Sequence, residues 1–198
     1  MKKIINEPTQ VVDEMLQGLS FMHDDLVQRL DGFDVIVRKA EKTGKVGLIS
    51  GGGSGHEPSH AGFVGDGMLS AAICGAVFTS PTPDQILEAI KAADEGAGVF
   101  MVIKNYSGDI MNFEIAQELA EMEGIDVASV VVDDDIAVEN SLYTQGRRGV
   151  AGTILVHKIL GAAARSGKSL AEMKDLADKL VLEIKTIGLA LSGATVPE

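Results

Sequence analysis

The chain has 198 residues, 29 acidic and 17 basic, which suits one large domain with a formal net charge of −12. That balance argues against nucleic acid or an anionic membrane as a partner, and no apolar run reaches the roughly 20 residues that span a bilayer. The start, Met1-Lys-Lys-Ile-Ile-Asn, continues into polar sequence rather than a signal segment, and one cysteine, Cys74, rules out an internal disulfide and fits a reducing cytoplasm.

In chain order, residues 8–30 predict one amphipathic helix, because Val12, Met15, Leu16, Leu19, Met22, Leu26 and Leu30 recur near a 3.6 period. Residues 33–37 and 46–49 are short β-branched runs bounded by glycines and predict strands. Directly after the second comes Ser50-Gly-Gly-Gly-Ser-Gly-His-Glu-Pro-Ser-His60, which predicts a loop at a strand's carboxyl end. So many glycines imply positive φ or a close approach to the backbone. Cys74 lies in the apolar run 69–78 and is expected to be a buried thiol. Ser80-Pro-Thr-Pro-Asp opens a helix, with Thr82 as cap, Pro83 in the first turn, and Ile86, Leu87 and Ile90 as its buried stripe.

Residues 98–103 are continuously apolar and predict a strand covered on both faces. A helix over 109–123 follows, with Ile110, Phe113, Ile115, Leu119 and Met122 apolar and Gly124 as its stop, then a buried strand over 127–132. Helices over 149–164 and 169–185 flank Ser166-Gly167, and 187–191 predicts a last strand. This rhythm implies an α/β fold, a mostly parallel sheet with right-handed crossovers and helices on both faces. Thr195-Val-Pro-Glu198 follows the last strand with no closing helix, so the expectation is one lobe of a longer protein.

The glycine run is not a Walker A loop, since no Lys-Ser/Thr follows at the required spacing, and His56 replaces the third glycine of a dinucleotide fingerprint. Ala162-Ala-Ala-Arg-Ser-Gly-Lys-Ser169 is a near miss that follows a helix and predicts a helix–helix turn. His56-Glu-Pro-Ser-His60 spells H-E-x-x-H, which binds zinc only when both histidines share one helix. Pro58 forbids that: its ring would clash with the Ser54 carbonyl and it lacks the N–H. It is expected in the first turn of a short helix, with His56 in the loop and His60 on the helix.

Lys104-Asn-Tyr-Ser-Gly-Asp109 follows the buried strand, so Lys104 and Asp109 are placed on the same rim as His56. Taken alone the segment is equally a turn with a helix cap. With the glycine run it supplies an imidazole, a carboxylate, an ammonium and backbone N–H groups around one crevice, enough to hold a small polyhydroxylated or carbonyl substrate and move a proton. Asp133-Asp134-Asp135 could hold Mg²⁺, but such a run is more often a solvated strand end and helix cap, and that is the expectation. Gly146-Arg-Arg-Gly149 either faces an anion or partner or is an exposed turn. His23 and His157 fall within helical patterns as ordinary surface or core histidines.

Ser50-Gly-Gly-Gly-Ser-Gly-His-Glu-Pro58, Phe78-Thr-Ser-Pro-Thr-Pro83, Ile103-Lys-Asn-Tyr-Ser-Gly-Asp109 and Ser141-Leu-Tyr-Thr-Gln-Gly-Arg-Arg-Gly-Val150, in this order, resemble the dihydroxyacetone kinase K subunit over the whole chain. The resemblance implies a cytoplasmic, homodimeric, dihydroxyacetone-binding component of a kinase that makes dihydroxyacetone phosphate. It implies Gly53, Ser54, Gly55, His56, Lys104 and Asp109 as substrate-binding residues, with His56 as acid/base and Asp109 polarising the substrate hydroxyls. No metal or cofactor is expected in this chain; ADP or ATP and Mg²⁺ are expected on a partner L subunit. In one version of the family a phosphotransferase-system phosphoprotein recharges that nucleotide, and in another free ATP is used. Residues 1–198 are expected to be the amino-terminal lobe of two, the second carrying a histidine that bonds covalently to the substrate carbonyl. The alternative is a dihydroxyacetone-sensing paralogue that acts as a transcriptional coactivator.

Overall fold

A computed structural model describes residues 3–139, 144 and 146–197. Six strands form one sheet in the order β1-β2-β4-β3-β5-β6. They are β1 (Val27–Arg29), β2 (Val35–Arg38), β3 (Gly47–Ser54), β4 (Ala71–Val77), β5 (Val99–Lys104) and β6 (Val127–Val132). β3 is parallel to β4 and β5, and β5 to β6, while β2 runs antiparallel to β1 and β4. Alternation along the strands divides the core. Leu48, Phe100 and Val102 point to the face packed by Leu16 of α1 (Val11–Met22), Val156 and Leu160 of α4 (Thr153–Arg165) and Met173 and Ala177 of α5 (Leu170–Glu183). Ile49, Met101 and Ile103 point to the opposite face, against Ile86 and Ile90 of α2 (Pro83–Ala93) and Phe113 and Ala116 of α3 (Ser107–Met122). The expected α/β architecture with helices on both faces is present.

Several boundaries differ from expectation. The predicted helix over 8–30 is a 3₁₀ turn, then α1, then strand β1. The helix stops at Met22; the Leu26 and Val27 amides both donate to the His23 carbonyl at 2.9 Å. His23, Asp24 and Asp25 are indifferent helix formers, and pairing of Val27 with Arg38 outweighs the weak helical preference. Met22 and Leu26 are accordingly exposed. In α3 the buried stripe is Phe113, Ala116 and Ala120, with Ile115 and Met122 in solvent. β6 is an edge strand with Val131 exposed, not a strand buried on both faces.

The helix expected from 149 begins at Thr153, because the backbone of Gly149 lies against the ends of β5 and β6. Residues 187–191 are not a strand: Leu189 and Leu191 are almost fully exposed, and β pairing there is limited to a bridge between Asp135 and Thr186. An apolar run takes up strand structure only with a partner edge beside it. The helix over 169–185 appears as α5 with Ser169 as its cap, and 162–169 is the expected helix–helix turn.

Candidate functional site

β3 continues through the glycines to Ser54, so the expected loop is a strand for its first half. Close approach within the protein bears on all four glycines of the run, as Gly53 and Gly52 illustrate. A Cβ on Gly53 would lie 2.5 Å from the Thr79 amide nitrogen and 2.8 Å from the Phe78 carbonyl carbon. A Cβ on Gly52 would lie 3.0 Å from Lys104 Nζ and 3.6 Å from Asp109 Oδ2. The strand is bare here so that the segment after β4 packs on one residue and two charged side chains lie beneath the other.

The carboxyl ends of β3, β4 and β5 open onto a cleft of about 600 Å³, the place where open parallel sheets present their ligands. Gly53 and His56 line it from β3 and the following turn, Phe78 and Ser80 from the segment after β4, and Lys104, Tyr106 and Asp109 from β5 and the first turn of α3. The three side chains singled out from the sequence, His56, Lys104 and Asp109, share this cleft. Ser54 and Gly55 do not line it. The Ser54 hydroxyl is buried and donates to the Gly75 carbonyl at 2.7 Å, and the Gly55 amide donates to the Glu57 carboxylate at 3.1 Å.

His56 stands exposed at the lip, its ring edge-to-face with Phe78 at 5.4 Å. Its Nδ1 lies 3.1 Å from the Gly53 carbonyl oxygen. A carbonyl only accepts, so Nδ1 carries the proton and Nε2 of the neutral ring is a free acceptor. Phe78 holds a φ of +53°, unusual for an aromatic residue, and such backbone cost gathers at functional sites.

Lys104 is 8% exposed and Asp109 3%. Burial pushes the Lys104 ammonium down, and Asp109 pulls it back up. Burial pushes the Asp109 carboxyl up, while the Ser80 hydroxyl, which donates to Oδ1, the Lys104 ammonium and, whenever its ring is protonated, His56 pull it down. Lys104 Nζ also sits 5.6 Å from the Tyr106 ring centroid. The cleft therefore offers a donor and an acceptor held by a hydroxyl, both partly dehydrated, and a proton-accepting imidazole at its open lip. Ser80, Phe78 and Tyr106 went unrecognised as site residues from the residues alone; the Ser80–Asp109 contact spans 29 positions and leaves no local signal.

The other motifs resolve as structure. His56 and His60 do not share a helix: Pro58 lies in a turn, not a helical first turn, and His60 precedes one 3₁₀ turn, Ala61–Phe63. His60 is buried and its Nδ1 lies 3.0 Å from Nε2 of His157, itself fully buried. No group of three or more His, Cys, Asp or Glu side chains placed to hold a metal occurs among the described residues. Cys74 is buried and its thiol is pushed up to about 12 by desolvation.

The aspartate run is not a solvated strand end. Asp134 and Asp135 are each 1% exposed. Asp134 accepts from the amides of Val150 and Gly152 at 2.8 Å and from the Thr186 hydroxyl, and so does cap the start of α4. Asp135 accepts from Arg148 at 2.6 Å and Asp133 from Arg147 at 3.0 Å, so these arginines brace the loop. Asn105 closes it onto β5 by donating to the Arg147 carbonyl at 2.7 Å. Of the phrase 141–150, residues 141–143 and 145 lie outside the described residues.

Fold and cleft define an α/β protein with a polar small-molecule crevice at the carboxyl edge of its parallel strands. The Dak1 domain model matches residues 17–198, and the chain belongs to that family. It is 71% identical to the PTS-dependent dihydroxyacetone kinase, dihydroxyacetone-binding subunit DhaK of Lactococcus lactis, over 100% of this chain and 59% of that protein. The crystal structure of the dihydroxyacetone kinase from C. freundii in complex with AMP-PNP and Mg²⁺ superposes with a TM-score of 0.83 at 41% identity, covering 90% of this chain and 33% of that one. The dihydroxyacetone kinase operon co-activator Dha-DhaQ superposes with a TM-score of 0.78 at 44% identity, covering 84% of this chain and 51% of that one. The chain thus spans about three fifths of the Lactococcus relative.

Proposed function

We propose that this chain is the amino-terminal, dihydroxyacetone-binding lobe of a dihydroxyacetone kinase K subunit. The observation that carries this reading is the meeting of His56, Lys104 and Asp109 in one cleft, in a chain 71% identical to a dihydroxyacetone-binding subunit. Dihydroxyacetone has a carbonyl and two hydroxyls, and the cleft matches them. The Lys104 ammonium donates to an oxygen, Asp109 accepts from a hydroxyl, and Nε2 of His56 takes the proton of the hydroxyl that is phosphorylated. Phosphoryl transfer needs positioning and charge neutralisation more than covalent help, so these groups suffice on the acceptor side.

The phosphoryl group comes from a nucleotide held with Mg²⁺ on a partner L subunit and recharged by a phosphotransferase-system phosphoprotein. The PTS-dependent Lactococcus relative supports this version over free ATP. The subunit works in the cytoplasm as a homodimer, and a second lobe supplies the histidine that bonds to the substrate carbonyl. No helix among the described residues is long and apolar enough to cross a membrane. Likeness to the co-activator Dha-DhaQ keeps a sensing role as the second reading.

The test is dihydroxyacetone phosphate formation by the full-length protein with its L subunit and phosphodonor. Turnover is expected, with His56→Asn slower by about two to four orders of magnitude, as for a lost general base. Ligand binding without any turnover would favour the sensor, and an unchanged rate in His56→Asn would remove that imidazole from the mechanism.

A further inference from the structure

The segment that carries His56 is a series of turns. Ser59 N–H donates to the His56 carbonyl at 3.1 Å, Gly62 N–H to the Pro58 carbonyl at 2.9 Å and Phe63 N–H to the His60 carbonyl at 3.0 Å. Each of these three bonds closes a turn within the segment, and none of them ties it to the rest of the fold. His60 extends from it to the helix across the sheet face, where its Nδ1 meets Nε2 of His157 on α4 at 3.0 Å, with the rings edge-to-face at 5.2 Å. The Phe63 ring packs beside His157 at 6.3 Å. The two remaining ring nitrogens, Nε2 of His60 and Nδ1 of His157, are buried with no hydrogen-bond partner among the described residues.

We propose that His60 and His157 form an imidazole–imidazole clamp that positions the turn bearing His56 at the lip of the sugar cleft. They are positioning residues; the role rests on the function proposed above, but the clamp itself rests on geometry. A hydrogen bond between two imidazoles requires one nitrogen to donate and the other to accept, so the clamp holds when both rings are neutral with complementary tautomers.

Its surroundings enforce that state. The charged and titratable groups that act on the pair are Lys104 of β5 and His56 of the turn. Burial, then His157, Lys104 and His56, hold His60 well below the usual range, and burial with Lys104 lowers His157 to about 3. Both folded values lie below those of the unfolded chain. The clamp's contribution is therefore full above about pH 6.5 and is lost as pH falls from there towards the folded values, by up to about tenfold in the folding equilibrium per pH unit for each ring.

Histidine-selective ¹⁵N NMR of the intact protein, with signals assigned by single substitutions, reads both rings directly. From pH 8 to 5 the expected result is that His60 and His157 stay neutral, one protonated and the other unprotonated at the shared contact. Titration of either near pH 6.5 in the folded protein would overturn the proposal. His157→Leu is expected to shift or broaden the His56 Nδ1–H signal and to lower kcat of the assembled kinase by at least about tenfold with KM within about threefold. His157→Gln, which restores an amide at the Nε2 position, is expected to recover most of it.

An unmoved His56 signal and unchanged kcat in His157→Leu would sink the clamp. Should that variant not fold, the pH series decides. If the unsubstituted protein forms no dihydroxyacetone phosphate, the functional reading fails alone, and the NMR measurements still decide the clamp.

Discussion

Gly52 and Gly53 are adjacent on β3, and a methyl group at each would meet something different. At Gly53 it would meet backbone atoms of Phe78 and Thr79, which cannot turn aside. At Gly52 it would meet the far end of the Lys104 side chain, which can. Gly53→Ala is accordingly expected to destabilise the protein by about 3 kcal/mol in urea unfolding, the upper range for overpacking. Gly52→Ala is expected to lose less than about 1 kcal/mol of stability but to weaken dihydroxyacetone binding by displacing Lys104. Equal stability losses in the two variants would contradict this division. The glycines were conspicuous in the sequence, yet which neighbour each serves was not legible, because those neighbours lie 25 or more positions away. His56, Lys104 and Asp109 were legible because each lies at or soon after the end of a strand that an apolar run announces, although β3 itself runs on through the glycines to Ser54. Ser54 and Gly55 belong to the same phrase, but Ser54 turns its hydroxyl to Gly75 and Gly55 gives its amide to Glu57, which spacing alone does not disclose.

Among the elements, those with strong local signals formed where expected: α2 behind Thr82, α5 behind Ser169, and β5 from its apolar run. Those whose fate depends on a distant partner did not. β1 forms only because β2 lies beside it, and 187–191 fails to form a strand because pairing there is limited to the Asp135–Thr186 bridge. α4 depends on the Asp134 carboxylate, a cap that the aspartate run announces but whose donors, the Val150 and Gly152 amides and the Thr186 hydroxyl, lie 16 to 52 positions away. Asp134→Ala leaves those donors without their acceptor at a buried site, where each unsatisfied group costs about 1–3 kcal/mol. The expected loss is about 3 kcal/mol by denaturant titration. A loss below about 0.5 kcal/mol would show that α4 starts without this anchor.

For the whole molecule, the sheet splits the core into two faces and gathers the carboxyl ends of β3, β4 and β5 onto one rim. A second cavity, of about 240 Å³ and lined by Arg38, Asp66, Glu95 and Arg165, is built from other residues and shares none with the cleft. The net charge of −12 disfavours a polyanionic ligand at this surface. The central claim is that the cleft of His56, Lys104 and Asp109 receives dihydroxyacetone and that this chain carries only part of the site. Titration of the 198-residue chain with dihydroxyacetone, followed by backbone amide shifts, tests both halves. The account predicts weak, millimolar or looser binding, with shifts centred on Gly53, His56, Ser80, Lys104 and Asp109. Shifts centred on Arg38 and Glu95 would contradict the site, and tight stoichiometric binding would contradict the half-site.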